Sequence, residues 1–280
     1  MMKPIRLIAL DLDGTLLDSE KNLPARNREA LARCAEMGIY IVPATGRAAD
    51  GVTDQVRSVP GVRYAITTNG GAIVDLSTGE TLERRAMDNE KALRLLRIAD
   101  SYRTMYDPYV DGRGITQPSF FDHMDDYGLS PALQEMVRFT RDVVPNILEY
   151  VEQSRKEVEK INIYVADLKD REMLRAQLNQ EPDVEVTASM INNLEVNSID
   201  ATKGRALLWL ADYLGIDQES TMAFGDGEND ISMIRAAGVG VAMGNALDQV
   251  KACADRVTDT NDEAGVETAV ERLVLNRSNQ

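Results

Sequence analysis

A chain of 280 residues has room for one large domain or two modest ones, and 44% hydrophobic with 28% charged residues is the make-up of an ordinary globular protein. The formal charge of −15, with no run of lysines or arginines to offset it, repels a nucleic-acid backbone, so no polynucleotide partner is expected. Two separated cysteines, Cys34 and Cys253, and a single histidine, His123, exclude a disulfide framework, a structural zinc site and nearly all histidine-nucleophile chemistry.

In chain order, residues 5–10 are apolar and bounded by Pro4 and Asp11, the pattern of a buried strand in a parallel sheet. Pro24 then opens a helix with Ala30, Leu31, Cys34 and Met37 on one face, ended by Gly38. Strands are expected at 39–43, leading to Thr45-Gly46-Arg47, and at 64–68, leading to the turn signal Asn69-Gly70-Gly71. Strands alternating with helices imply right-handed crossovers and a doubly wound parallel α/β sheet.

From about Glu83 the rhythm changes. A helix over 88–102 precedes a poorly patterned stretch, 106–128, holding Pro108, Gly112, Gly114 and Pro118. Residues 157–166 alternate like a strand with one exposed face, 171–178 reads as helix, and 184–187 and 193–197 as short strands. Residues 83–195 are therefore expected to form an inserted, smaller α/β domain with an antiparallel sheet, dividing a core domain into 1–82 and 196–280. The first rhythm returns after Thr202: a helix over 203–214 ended by Gly215, then a strand over 221–224 that runs into Gly225-Asp226-Gly227-Glu228-Asn229-Asp230. A helix, a strand over 239–243, a helix over 246–253, a short strand at 256–257 and a last helix from about 262 complete the chain.

The chemistry concentrates where strands end, the edge at which open α/β sheets bind ligands. Asp11 and Asp13, two apart after the first strand, can converge on one reacting group: one carboxylate attacks phosphorus while the other delivers and later removes a proton. Gly14 permits a sharp turn there, although Asp, Gly and Thr are also common turn formers with no further role. Asp226, Glu228 and Asp230 crowd three carboxylates into five residues, and their repulsion calls for a cation. A calcium loop is the competing reading, but its later glutamate and flanking helices are missing.

Taken together and in this order, Asp11-Leu12-Asp13-Gly14-Thr15, Thr45-Gly46-Arg47, Lys203 and 225–230 resemble the four motifs of haloacid dehalogenase superfamily phosphatases, specifically the Cof-like sugar-phosphatase branch. The resemblance implies that Asp11 is the nucleophile, forming an aspartyl-phosphate, and that Asp13 protonates the leaving oxygen and then activates water. It implies Mg²⁺ held by the Asp11 side chain, the Asp13 backbone carbonyl and the Asp226 side chain, with Asp230 behind them as an orienting group. Thr45 and the Gly46 N–H would bind phosphoryl oxygens, and Lys203 would neutralise them. Thr45 as a helix N-cap, Arg47 in a surface ion pair and Asn69 as a turn residue are the plainer readings, set beside substrate contacts for Arg47, Asn69 and Asn229.

Too few residues separate Thr15 from Pro24 to hold a domain, so the insertion falls between the second and third motifs. The resemblance makes it a cap that excludes water from the catalytic edge and meets the leaving group of a small phosphorylated metabolite, a sugar phosphate by family expectation. A mutase moving phosphate between positions of a sugar is the alternative; a silent regulator is disfavoured because every catalytic carboxylate and the motif lysine are present. No apolar run approaches the ~18–20 residues that cross a bilayer, and the N-terminus has no signal-peptide pattern, so a cytoplasmic monomer or homodimer without a membrane partner is expected.

Overall fold

The structure, a computed structural model, describes residues 3–277 and divides into two compact units, 1–83 with 202–280, and 84–201. In chain order the strands are β1 (Leu7–Leu10), β2 (Tyr40–Pro43), β3 (Tyr64–Thr67), β4 (Ala72–Asp75), β5 (Glu80–Arg84), β6 (Thr104–Val110), β7 (Arg113–Thr116), β8 (Arg141–Val143), β9 (Lys160–Val165), β10 (Val184–Thr187), β11 (Asn193–Ser198), β12 (Thr221–Gly225), β13 (Val239–Ala242) and β14 (Arg256–Val257).

The first unit is built on a parallel five-stranded sheet in the order β14-β13-β12-β1-β2. Alternation along β1 buries both faces. Ile8 and Leu10 join a core with the helices Ala25–Glu36 and Gly265–Leu273, while Leu7 and Ala9 join a second core under the helix Lys203–Tyr213. This is the expected doubly wound sheet. The chain leaves β1 toward β2 on one side, and β12 pairs with β1 on the other, so the order reverses between β1 and β12. In an open α/β sheet the carboxyl ends of the strands at such a reversal are where ligands bind. β3 touches the sheet only through isolated bridges (Ile41 with Val62, Ala44 with Ile66) and instead begins a three-stranded sheet, β3-β4-β5. In the first helix Ala30, Leu31 and Cys34 are buried as expected, but Met37 is 49% exposed, because the helix ends at Glu36 and the following turn carries Met37 outward.

The second unit carries a six-stranded sheet, β10-β11-β9-β6-β7-β8, antiparallel except for the parallel β7–β8 pair. Leu194 and Val196 of β11 pack with Ile161 and Ile163 of β9 in one apolar cluster, to which the helices Asn89–Asp100, Ile147–Ser154 and Leu168–Leu178 contribute. Several buried polar residues on this sheet find partners. Asp107 pairs with Arg141, Lys160 with Glu195, and Asn162 and Asn193 bond to each other. Three expectations are corrected here. The alternating strand was expected to show one exposed face, yet Lys160 and Asn162 are buried, because partners on β11 and β6 satisfy their charges and amides. The stretch 106–128 contains most of β6 and all of β7; its pattern is hidden because β6 is buried throughout, Asp107 included. The unit also ends later than 195. β11 runs to Ser198 in its sheet, and the Arg85 guanidinium donates to the Asp200 carbonyl at 3.2 Å, so the two ends of the insertion lie side by side. Among the described residues no helix is long and apolar enough to cross a membrane.

Candidate active site

Every polar group of the site leaves a strand end or a helix start of the first unit. β1 delivers Asp11 and the turn after it, β12 delivers the loop 226–230, and β2 leads to Thr45 and Arg47. Two glycines permit the close approach. Gly14 has φ +84°, and a Cβ there would lie 2.5 Å from Asp226 Oδ2, so only glycine lets the β1 turn rest against the β12 loop. At Gly204 a Cβ would meet the Ser232 carbonyl oxygen at 2.3 Å; without it the helix start approaches the chain just beyond Asp230 and carries Lys203 inward.

Lys203 is wholly buried. Its ammonium donates to Asp11 Oδ1 and to Asp230 Oδ1, each at 2.6 Å. Burial works against the charge, but the two carboxylates outweigh it and hold the lysine pKa above its ordinary value. The second oxygen of Asp230 accepts the backbone N–H groups of Asp226 and Gly227, both at 2.9 Å, so this side chain shapes its own loop. Thr15 donates its hydroxyl to Asp226 Oδ1 at 2.8 Å.

Carboxylate oxygens of Asp11, Asp226 and Asp230 lie within 4.8 Å of one another. Burial, then the charge of Asp230, pushes the Asp11 carboxyl well above the usual range against the pull of Lys203. The same two causes, in the same order, push Asp226 up to about 7 against the Thr15 hydroxyl bond. Three acids around one ammonium leave negative charge uncompensated, and hard oxygen donors so placed fit a divalent cation such as Mg²⁺. Glu228, expected as a member of this cluster, is outside the group; it is Asp11, arriving from β1, that completes it.

Asp13 is held differently. Arg47 grips it with two bonds, Nε to Oδ2 at 2.9 Å and Nη2 to Oδ1 at 2.6 Å, and Lys21 Nζ lies 2.8 Å from Oδ1. Burial raises the Asp13 pKa, but the two cations, Arg47 foremost, more than offset it and leave it lowered. Arg47 is thus half-buried in the site, paired with Asp13 and anchored by Nη1 to the Gly51 carbonyl. Thr45, almost wholly buried, accepts the Arg47 N–H at 3.1 Å in a hydroxyl turn, and caps no helix. Gly46 follows it in the same turn. Asn69 (φ +60°) sits in the turn after β3 and accepts a bond from Asn229 Nδ2 at 3.1 Å, so these two amides meet each other. Lys21 and Asn245, which donates to the Gly14 carbonyl at 2.8 Å, carried no spacing that marks them in the sequence, and Thr15, though part of the first motif, had no role assigned to it; only the folded loops show these contacts.

Comparison with known proteins agrees with this assembly. The haloacid dehalogenase-like hydrolase family matches residues 8–270. The chain belongs to that family. It is 32% identical over 271 residues to the 5-amino-6-(5-phospho-D-ribitylamino)uracil phosphatase YcsE of Bacillus subtilis, covering 97% of this chain and 96% of that protein. It is also 32% identical to the pyridoxal phosphate phosphatase YbhA of Escherichia coli, with 91% and 94% covered. The solved structure of a haloacid dehalogenase-like hydrolase from B. subtilis superposes with a TM-score of 0.84 at 30% identity, over 96% of this chain and all of the other. As a haloacid dehalogenase-like hydrolase, the chain pairs the family's core with a second, smaller α/β unit.

Proposed function

We propose that the protein is a Mg²⁺-dependent phosphatase of small phosphorylated metabolites, acting through an aspartyl-phosphate on Asp11. The observation that carries this reading is the buried Lys203 ammonium shared by Asp11 and Asp230, beside Asp226. Asp11 attacks phosphorus as the bond to the leaving oxygen breaks, and Asp13 gives that oxygen its proton. Asp13 then takes a proton from water as the water oxygen bonds to phosphorus and the Asp11–phosphorus bond breaks, releasing inorganic phosphate and restoring the Asp11 carboxylate and the acid form of Asp13. The clamped Asp13 anion is the form the second step needs. A phosphoryl dianion arriving beside Arg47 and Lys21 draws both cations partly away, which favours the acid form for the first.

Asp11, Asp226 and the Asp13 backbone carbonyl would hold Mg²⁺, with Asp230 orienting the loop and Lys203. The ion supplies positive charge for the equatorial oxygens of the transferring group. Thr45 and the Gly46 N–H bind those oxygens; Asn69 and Asn229, bonded to each other, line the site from the β3 and β12 sides. Residues 84–201 serve as the family's cap domain. The substrate class is a phosphate ester of a small, hydroxyl-rich metabolite such as a sugar or alditol phosphate; YcsE, by its name, acts on a phosphoribityl compound. The reaction occurs in the cytoplasm.

A phosphate-release screen over phosphorylated metabolites, with Mg²⁺ and with EDTA, tests the proposal. Turnover that EDTA abolishes and Mg²⁺ restores is expected; full activity of Asp11→Asn or of Asp13→Ala would refute the mechanism. Recovery of a positional isomer in place of inorganic phosphate would make the enzyme a mutase.

A further inference from the structure

Lys21 is a lysine in a left-handed backbone conformation, φ +66°, where a side chain costs about 1–2 kcal/mol. The loop is built to hold it there. Its N–H donates to the Asp18 carbonyl at 2.9 Å, and its own carbonyl accepts Gln55 Nε2 at 2.7 Å. Gln55 Oε1 in turn accepts the Leu23 N–H at 2.9 Å, and Asp18 Oδ1 accepts the N–H groups of Glu20 and Asn22. All this fixes one outcome: the Lys21 ammonium lies on Asp13 Oδ1, on a carboxylate that Arg47 already grips. The pair is open to solvent, with side-chain exposures of 55% and 39%, and such pairs contribute only about 0–1 kcal/mol to stability. Stability therefore does not account for the strain. Backbone strain of this kind gathers at functional sites.

We infer that Lys21 is a positioning residue for the acid–base step, closing with Arg47 a clamp that keeps the Asp13 carboxyl in one rotamer. The inference rests on the role given to Asp13 above. Lys21 also borders a cavity of about 380 Å³ walled by Gly14, Asp18, Asn245 and Asp262. Without the ammonium, Asp13 Oδ1 loses one of the two cations that hold it.

The test uses the full chain with Mg²⁺ and p-nitrophenyl phosphate, whose nitrophenolate leaves without a proton. Only hydrolysis of the aspartyl-phosphate then needs Asp13. Lys21→Met is expected to lower kcat by about tenfold or more, within the range of acid–base effects, with KM falling in parallel and kcat/KM little changed, because only hydrolysis of the aspartyl-phosphate slows. Its first-turnover burst of nitrophenolate persists, its melting curve matches the parent's, and Lys21→Arg restores most of kcat. An unchanged kcat, a change in KM alone, a lost burst, or a loss that Lys21→Arg does not relieve overturns the inference. An inactive parent chain, or Asp13→Ala with parent activity, strikes the proposed function itself, which separates the two failures.

Discussion

Lys203 concentrates the energetics of the site in one atom. Its ammonium is the shared partner of two buried carboxylates, so removing it strands both. Lys203→Met is expected to cost about 3–5 kcal/mol in urea unfolding, the penalty of breaking a buried pair from one side, and to abolish phosphate release. Asp11→Asn abolishes turnover equally but costs far less stability, since an amide oxygen still accepts the lysine bond. Measuring both quantities on both variants separates the electrostatic role from the nucleophilic one. At this scale the sequence was informative where residues sit in motifs and silent elsewhere. Asp11, Asp13, Asp226 and Lys203 are recognisable by their order along the chain. The pairing of Arg47 with Asp13 and the bond from Thr15 to Asp226 depend on loops meeting across more than thirty and two hundred positions, and Lys21, though near Asp13 in the chain, belongs to no motif, so no local pattern records these contacts.

Among the elements, the turn after β1 and the strand β4 carry separate predictions. Gly14→Ala places a methyl group against Asp226 and strains a left-handed backbone. The variant is expected to fold, because the clash is confined to two loops, yet to lose about a hundredfold in kcat/KM as the carboxylates shift. On β4, Asp75 is held at about 2 by bonds from the Arg63 guanidinium and from the Ser77 hydroxyl. A carboxyl lowered on folding stabilises the native state above its unfolded value near 4 and loses that contribution as pH falls toward 2. The stability gap between the parent and Asp75→Asn, read by urea unfolding, is therefore expected to be present at pH 7 and to close between about pH 4 and 2. β6 stayed hidden in the pattern because it is buried throughout, whereas β9 was legible as a strand from its alternation and only its exposed face was misjudged, since its polar residues find partners instead of water.

For the whole molecule, the proposed Mg²⁺ site predicts that stability depends on a divalent ion. Mg²⁺ at a hundredfold excess over its dissociation constant is expected to add about 2.7 kcal/mol, seen as a rise in Tm, and Asp226→Asn is expected to abolish most of that rise. The doubly wound sheet was legible because its strands are short apolar runs followed by motif residues. The limit of the inserted unit at 201 was not: 193–197 was read as a strand, but that its end pairs onward within the inserted unit, Ser198 with Val184, shows only once the hydrogen-bonded neighbours are known.

The Arg85–Asp200 contact sets the two ends of the insertion at one point. A segment whose two ends meet can be treated as a graft: it can be lengthened, shortened or exchanged while β1, β2 and β12 keep their neighbours. On the proposed cap role of residues 84–201, chemistry and choice of substrate can then change at different rates, the first fixed in the parallel sheet and the second free to drift with whatever is spliced at residues 84 and 201.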